Sequence, residues 1–239
     1  MTDLSGVRVI ACDIFGTTVD WYSGVRDQVA EVFAGLGVRV DPGAFTSAWR
    51  AEYQPSLRRV LDGSRDWAHL DTLHRESLDA LLDSHGVAAA VDEAARARLV
   101  RAWHRLPAWP DCAEGLERLR ARYVVAALSN GGFALMTHLI KAADLPFDCV
   151  VSAELARTYK PDAQVYRTAA ALLDVAPDDV LMVAAHGWDI AGARATGLRT
   201  AFLERPAEKG PHATADRAAD VRADVAVSGF PELADRLGC

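Results

Sequence analysis

Short apolar runs, each ending in a cluster of polar and glycine residues, recur along this chain. Val7-Arg8-Val9-Ile10-Ala11-Cys12 is mostly apolar and β-branched, and it stops at Asp13, ahead of Gly16-Thr17-Thr18. Tyr123 to Leu128 stops at Ser129-Asn130-Gly131-Gly132, and Cys149-Val150-Val151 leads towards Tyr159-Lys160-Pro161. Val180-Leu181-Met182-Val183-Ala184 stops at His186-Gly187-Trp188-Asp189. Arg199 to Leu203 alternates polar and apolar positions, and Asp224 to Val227 offers a sixth strand. Between these runs the apolar spacing becomes helical: Leu116 and Leu119 within 113–122, Leu135, Leu139 and Ile140 within 134–143, then 164–173 and 190–196. Buried strands alternating with amphipathic helices predict a mainly parallel sheet covered on both faces. Its ligands belong at the carboxyl ends of the strands, where the polar residues collect.

The stretch from Val19 to Arg105 follows a different pattern. Val25, Val29, Val32, Phe33 and Leu36 keep a helical period, and no buried strand stands out. It reads as an α-helical insertion, residues 19–105, between two parts of one core, residues 1–18 and 106–239. Leu106-Pro107-Ala108-Trp109-Pro110 breaks the helix at its exit. The Ala-, Pro- and charge-rich segment from Arg205 to Asp224 reads as a surface excursion.

Composition narrows the function. Among 239 residues, 51% are hydrophobic, enough for a substantial core, and disorder is excluded. A net charge of −7 with no basic run argues against nucleic acid and anionic membranes as partners. Met1 to Asp13 has no secretory pattern, and no apolar run approaches the roughly 20 residues of a membrane helix. Cys12, Cys112, Cys149 and Cys239 are scattered and form no CxxC pair, which suits a reducing cytoplasm. His69, His74, His85 and His104 in the insertion, His138 and His212 lack metal-site spacing and read as surface or packing residues.

Each polar cluster has an ordinary explanation: a turn relieved by Gly16, a helix cap at Ser129, a loop at Lys160-Pro161. Their order is more telling. With Asp13-Ile14-Phe15-Gly16-Thr17, Leu128-Ser129-Asn130-Gly131, Tyr159-Lys160-Pro161-Asp162 and His186-Gly187-Trp188-Asp189, the chain resembles the haloacid dehalogenase superfamily over nearly its whole length. The resemblance implies a Rossmann-like α/β core with an inserted α-helical cap domain, the active site lying between them. Phosphatases of that superfamily carry a second Asp two residues after the nucleophile, and acids after the fourth strand that hold Mg²⁺. Here Phe15 and Ala185 stand at those places, leaving Asp189. Halide departs without protonation, so the lost acid suits a type II 2-haloacid dehalogenase. The rivals are a Mg²⁺-dependent phosphatase or phosphonatase, and a binding protein of the same fold without catalysis.

The resemblance then distributes roles. Asp13 is the nucleophile that forms an aspartyl ester. Thr17 hydrogen-bonds beside it, and Lys160 keeps it ionised. Asp189 orients Lys160 or activates water. Ser129 and adjacent amides bind the substrate carboxylate, Asn130 faces the departing halide, and Arg50 binds it. Tyr166 matches an active-site tyrosine, while Phe15 and Trp188 form apolar wall. His186 stands where relatives tend to carry Asn, and Ala184 where they carry Ser. His186 either caps a turn, positions water or contacts halide. A 2-haloacid and its halide are the expected small-molecule partners, with no metal or organic cofactor, and a homodimer is the expected assembly.

Overall fold

The computed structural model describes residues 4–239. Residues 1–3, which belong to the reading of the N-terminus, and the side chain of His212 lie outside the description. Strands β1 (Val9–Cys12), β2 (Val124–Ser129), β3 (Cys149–Ser152), β4 (Val180–Ala184), β5 (Arg199–Leu203) and β6 (Val225–Val227) form one sheet in the order β3-β2-β1-β4-β5-β6. Every neighbouring pair is parallel. β1 is central: Cys12 is level with Ala127 of β2 and Val183 of β4, so Asp13 leaves the sheet between the carboxyl ends of those strands. The Asp13 amide still donates to Val183 O at 2.9 Å, which fixes the start of the turn. β1 and β4 are buried throughout, as strands covered on both faces must be.

The covering helices are α6 (Cys112–Arg120), α7 (Phe133–Ala142), α8 (Ala163–Leu172), α9 (Gly187–Ala195) and α10 (Phe230–Leu237). α9 starts three residues earlier than the apolar period suggests, so Trp188 and Asp189 occupy its first turn. Gly187-Trp188-Asp189 has no apolar periodicity to announce a helix; an acid in that turn is favoured by the helix dipole. α10 is absent from the sequence reading, yet Leu233, Ala234 and Leu237 are buried where it packs on α6.

Between β1 and α6 come five helices: α1 (Trp21–Leu36), α2 (Pro42–Ala51), α3 (Tyr53–Leu61), α4 (Leu70–Ser84) and α5 (Glu93–Ala102). α1 packs on α2 and α5, and α4 on α5, around Phe33, Phe45, Trp49 and Leu78. Val25, Val29, Val32 and Phe33 are buried as their spacing predicts, whereas Leu36 is 39% exposed. It is the last helical residue before the left-handed Gly37 cap, where the face turns away. Entry and exit of the segment run side by side, Asp20 N donating to Pro107 O at 2.8 Å and Trp109 N to Thr18 O at 3.0 Å.

The segment from Arg205 to Asp224 corrects the expectation of a surface excursion. Arg205 is buried, its Nε donating to Thr17 O at 2.9 Å and its guanidinium pairing with Asp111, and Glu208 is 1% exposed. Part of this loop is core, because its few buried polar side chains find partners that composition cannot reveal. Among the described residues no helix is long and apolar enough to cross a membrane, and the four cysteines are unpaired.

Candidate active site

The site starts from the Asp13 carboxylate. Its Oδ1 accepts from Lys160 Nζ at 2.8 Å. Its Oδ2 accepts from Thr17 Oγ1 at 2.8 Å and lies 3.1 Å from His186 Nδ1. The Ala185 amide donates to Thr17 Oγ1 at 2.9 Å, which leaves the hydroxyl hydrogen directed at Asp13. Burial alone would raise the Asp13 pKa; the Lys160 charge, then the hydrogen bond and charge of His186, outweigh it and hold the carboxyl well below its ordinary range.

Lys160, 1% exposed, gives its hydrogens to Asp13, to Asp189 Oδ2 at 2.5 Å and to Leu128 O at 3.1 Å. Burial opposes the ammonium form, but the two carboxylates prevail and raise its pKa above the ordinary lysine value. Asn130 holds the Lys160 backbone: its Oδ1 accepts from Lys160 N at 2.7 Å, and its Nδ2 donates to Tyr53 Oη at 3.0 Å. Tyr166 donates to Asp189 Oδ1 at 2.6 Å and is itself fully buried. Asn130 and Tyr166 therefore brace the charged cluster through Lys160 and Asp189. Both Asp189 oxygens are engaged, Oδ2 by Lys160 and Oδ1 by Tyr166.

Ser129 ends β2, and its Oγ accepts from Gly131 N at 3.0 Å. The Phe133 amide, at the start of α7, is already bonded to Glu154 Oε2 at 2.8 Å. Of the amides expected to meet a carboxylate, these two are engaged within the fold.

A cavity of about 280 Å³ opens beside the cluster, lined by Arg50, Tyr53, His186, Trp188 and Glu208 among others. Arg50 arrives from α2 and lies among aromatic rings, its Cζ 4.0 Å from the Tyr53 centroid and 5.2 Å from that of Trp21. Its buried Nη1 has no hydrogen-bond partner among the described residues. Phe15 packs edge-on to Trp103 at 6.0 Å, an apolar wall where a proton donor would otherwise stand. Trp188 stacks on His186 at 5.5 Å.

Sequence reading missed Glu208. Its Oε1 lies 2.9 Å from His186 Nε2 and accepts from Trp21 Nε1 at 2.9 Å. Burial would raise its pKa, but His186 and, less strongly, Arg50 and Trp21 bring it down to about 2. The one available signal is its position five residues beyond Leu203, the carboxyl end of β5. Tyr53, Trp21 and Trp103 join the site from the helical segment, and only proximity in the fold distinguishes them from packing aromatics.

Residues 7–197 match the model of the haloacid dehalogenase-like hydrolases, a hydrolase family. The chain belongs to that family. It is 32% identical over 203 residues to (S)-2-haloacid dehalogenase 1 of Pseudomonas sp. strain CBS-3, a match spanning 83% of this chain and 85% of the relative. The structure superposes on the defluorinating L-2-haloacid dehalogenase Rha0230 with a TM-score of 0.94 and 41% identity, covering 98% of this chain and 96% of the other. It also matches the L-2-haloacid dehalogenase of Xanthobacter autotrophicus with chloropropionic acid covalently bound, at a TM-score of 0.81 and 25% identity, covering 97% and 98%.

The Mg²⁺ site of the family's phosphatases does not fit here. A hard cation needs several free oxygens. Lys160 Nζ already occupies the space between Asp13 and Asp189, and Ala185 contributes no ligand. Among the described residues no group of three or more His, Cys, Asp or Glu side chains is placed to hold a metal ion.

Proposed function

We propose that this protein is a hydrolytic dehalogenase of short 2-haloalkanoic acids of the (S) series, acting through an ester on Asp13. One observation carries the reading: a buried, ionised Asp13 carboxylate is bonded to Lys160 and His186, and His186 lines a small cavity together with Arg50, whose buried Nη1 has no hydrogen-bond partner among the described residues. Asp13 attacks the halogen-bearing carbon from the side opposite the halide, and the C–X bond breaks as the C–O bond forms. The guanidinium, a permanent cation among aromatic rings, receives the halide. Water then attacks the ester carbonyl, so the hydroxy acid leaves with inverted configuration. The relatives' activities support this course, as does the covalent chloropropionic acid in the Xanthobacter autotrophicus enzyme.

In this reading residues 19–105 act as a cap over a core made of 1–18 and 106–239, and the cavity between them limits substrates to small acids. Ser129 and backbone amides near it bind the substrate carboxylate. A homodimer in the cytoplasm belongs to the same reading; light scattering gives the mass in solution.

Asp13→Asn tests the nucleophile. The amide keeps the shape and loses the negative charge, so halide release from chloroacetate and (S)-2-chloropropionate should fall by about 10⁴-fold or more while the circular dichroism spectrum is kept. In ¹⁸O-water, a single turnover of wild type should leave label in Asp13 and none in the first product. Halide release by the Asn variant at the wild-type rate overturns the mechanism. A strict Mg²⁺ requirement with rapid p-nitrophenyl phosphate hydrolysis would place the protein among the phosphatases.

A further inference from the structure

Between the Asp13 carboxylate and the cavity stands a pair to which alkylation assigns no task. His186 touches two buried carboxylates, Asp13 Oδ2 through Nδ1 at 3.1 Å and Glu208 Oε1 through Nε2 at 2.9 Å. Glu208 Oε2 is buried without a hydrogen-bond partner among the described residues. A buried, incompletely bonded carboxylate is costly unless a cation compensates it. The nucleophile's own turn is shaped to admit it: Gly16 has φ +89°, and a Cβ there would lie 2.4 Å from Glu208 Oε1. Any side chain at residue 16 would displace the Glu208 carboxylate.

We propose that His186, positioned and charge-balanced by Glu208, is the base that activates water in the second half-reaction, hydrolysis of the Asp13 ester. The proposal rests on the ester reading above. Position favours His186 over the alternative base, Asp189. Asp189 is fully buried with both oxygens held by Lys160 and Tyr166, whereas His186 lines the cavity and also touches the nucleophile.

The charges around His186 make the base conditional on alkylation. Asp13 faces it from the end of β1, Glu208 and Asp216 from the 205–224 segment, and Trp188 from its own helix. Lys160 lies beyond Asp13, Arg50 acts on Glu208, and Lys209 pairs with Asp216. In the free enzyme burial would lower the His186 pKa, but Glu208 and Asp13 outweigh it and raise it to about 10. The ring is then an imidazolium and cannot take a proton. Alkylation converts Asp13 into a neutral ester and removes one of the two anions that hold the charge. The ring releases its Nδ1 proton to solvent through the cavity, and its lone pair faces the ester.

Water adds to Cγ of Asp13 as Nδ1 takes one of its protons. The tetrahedral species then breaks its Cγ–O bond to the product. The electron pair leaves on the alkoxide, which takes the proton of the new carboxyl group. The products are the hydroxy acid, a restored Asp13 carboxylate and an imidazolium. The net proton is the one released to solvent beforehand, so the step balances as ester plus water to carboxylate, alcohol and H⁺.

Glu208→Gln keeps the shape and an oxygen able to accept from Trp21, while removing the charge. With excess chloroacetate in quenched flow, the variant should release about one halide per site near the wild-type rate. A steady phase about 10²-fold slower than wild-type turnover should follow. The ester should accumulate, read as added mass on the Asp13 peptide, and kcat and KM should fall together. His186→Gln should give the same burst and the same trapped ester. Steady turnover of Glu208→Gln at the wild-type rate overturns the proposal, as does a burst slowed as much as the steady phase with no ester trapped. Absence of any mass on Asp13 in wild type and both variants during halide release overturns the ester reading and the proposal with it.

Discussion

The two oxygens of Asp13 carry two relays of the same composition, a cation between two carboxylates, in opposite surroundings. On Oδ1 the relay is Asp13–Lys160–Asp189, closed off by Tyr166 and buried throughout. On Oδ2 it is Asp13–His186–Glu208, which borders the cavity. The first has a cation whose charge is permanent at any working pH, on a side chain with all three hydrogens engaged. The second has a cation that can lose its proton, next to the space where substrate and water arrive. Permanent charge suits keeping a nucleophile ionised, whereas removable charge suits taking a proton from water.

Removing the permanent cation should have the largest effect. Lys160→Met leaves Asp13 and Asp189 close together in a dry site without the ammonium between them, so both carboxyls move up in pKa. Halide release should drop by about 10³-fold and recover partly as pH rises, because the nucleophile must now be deprotonated against its neighbour. A pH profile of the halide burst checks this. A uniform loss with the wild-type pH shape would show that Lys160 serves geometry alone, and the contrast between the relays would weaken.

The first relay was legible in the sequence and the second was not, for a physical reason. Asp13, Thr17, Lys160 and Asp189 each follow directly on an apolar strand or in an ordered motif, and strands buried on both faces are visible as apolar runs. The core strands were accordingly placed to within a residue or two, with Ser129 inside β2 where the reading had put it just beyond. Glu208 comes from a segment with no period, where alanine, proline and charge resemble solvated loop. Its burial depends on Trp21, Gly16 and His186 meeting from distant parts of the chain. The bonds of Asn130 to Lys160 N and Tyr53, and of Tyr166 to Asp189, are hidden from the sequence in the same way. Residue type and position in a motif place a side chain near the site, but which atoms its polar groups satisfy is decided by packing.

A milder change should separate the relays by reaction step. Tyr166→Phe removes the O–H bonded to Asp189 Oδ1 at 2.6 Å and keeps the ring. A hydrogen bond to a charged group contributes about 1.5–3 kcal/mol, only part of which passes through Lys160 to the nucleophile. The halide burst should slow by about tenfold, with no ester accumulating. Glu208→Gln should spare that burst, so the two variants together assign each relay to its half-reaction. If Tyr166→Phe trapped ester, Asp189 would have a direct part in hydrolysis and the division would fail.

The smallest expected effect concerns stability, and it distinguishes the relays by pH. His186 is raised in the folded protein from 6.5 to about 10, so its contribution is fully present below about pH 6.5 and is lost as pH rises through 10. Glu208 is lowered from 4.5 to about 2, so its contribution is present above about pH 4.5 and is lost as pH falls through 2. Both conditions hold together between about pH 4.5 and 6.5. The melting temperature of wild type should exceed that of Glu208→Gln by the most in this window, and the gap should narrow on either side. In a domain of this size each kcal/mol corresponds to about 2–4 °C, so the difference should be several degrees at its largest. Lys160 is raised above its ordinary value, so the first relay adds no alkaline limb in the neutral range. A difference between the two proteins that stays flat from pH 4 to 10 would mean that the Glu208 charge is not compensated by an imidazolium. His186 would then be neutral in the free enzyme, already able to act as a base before the ester forms.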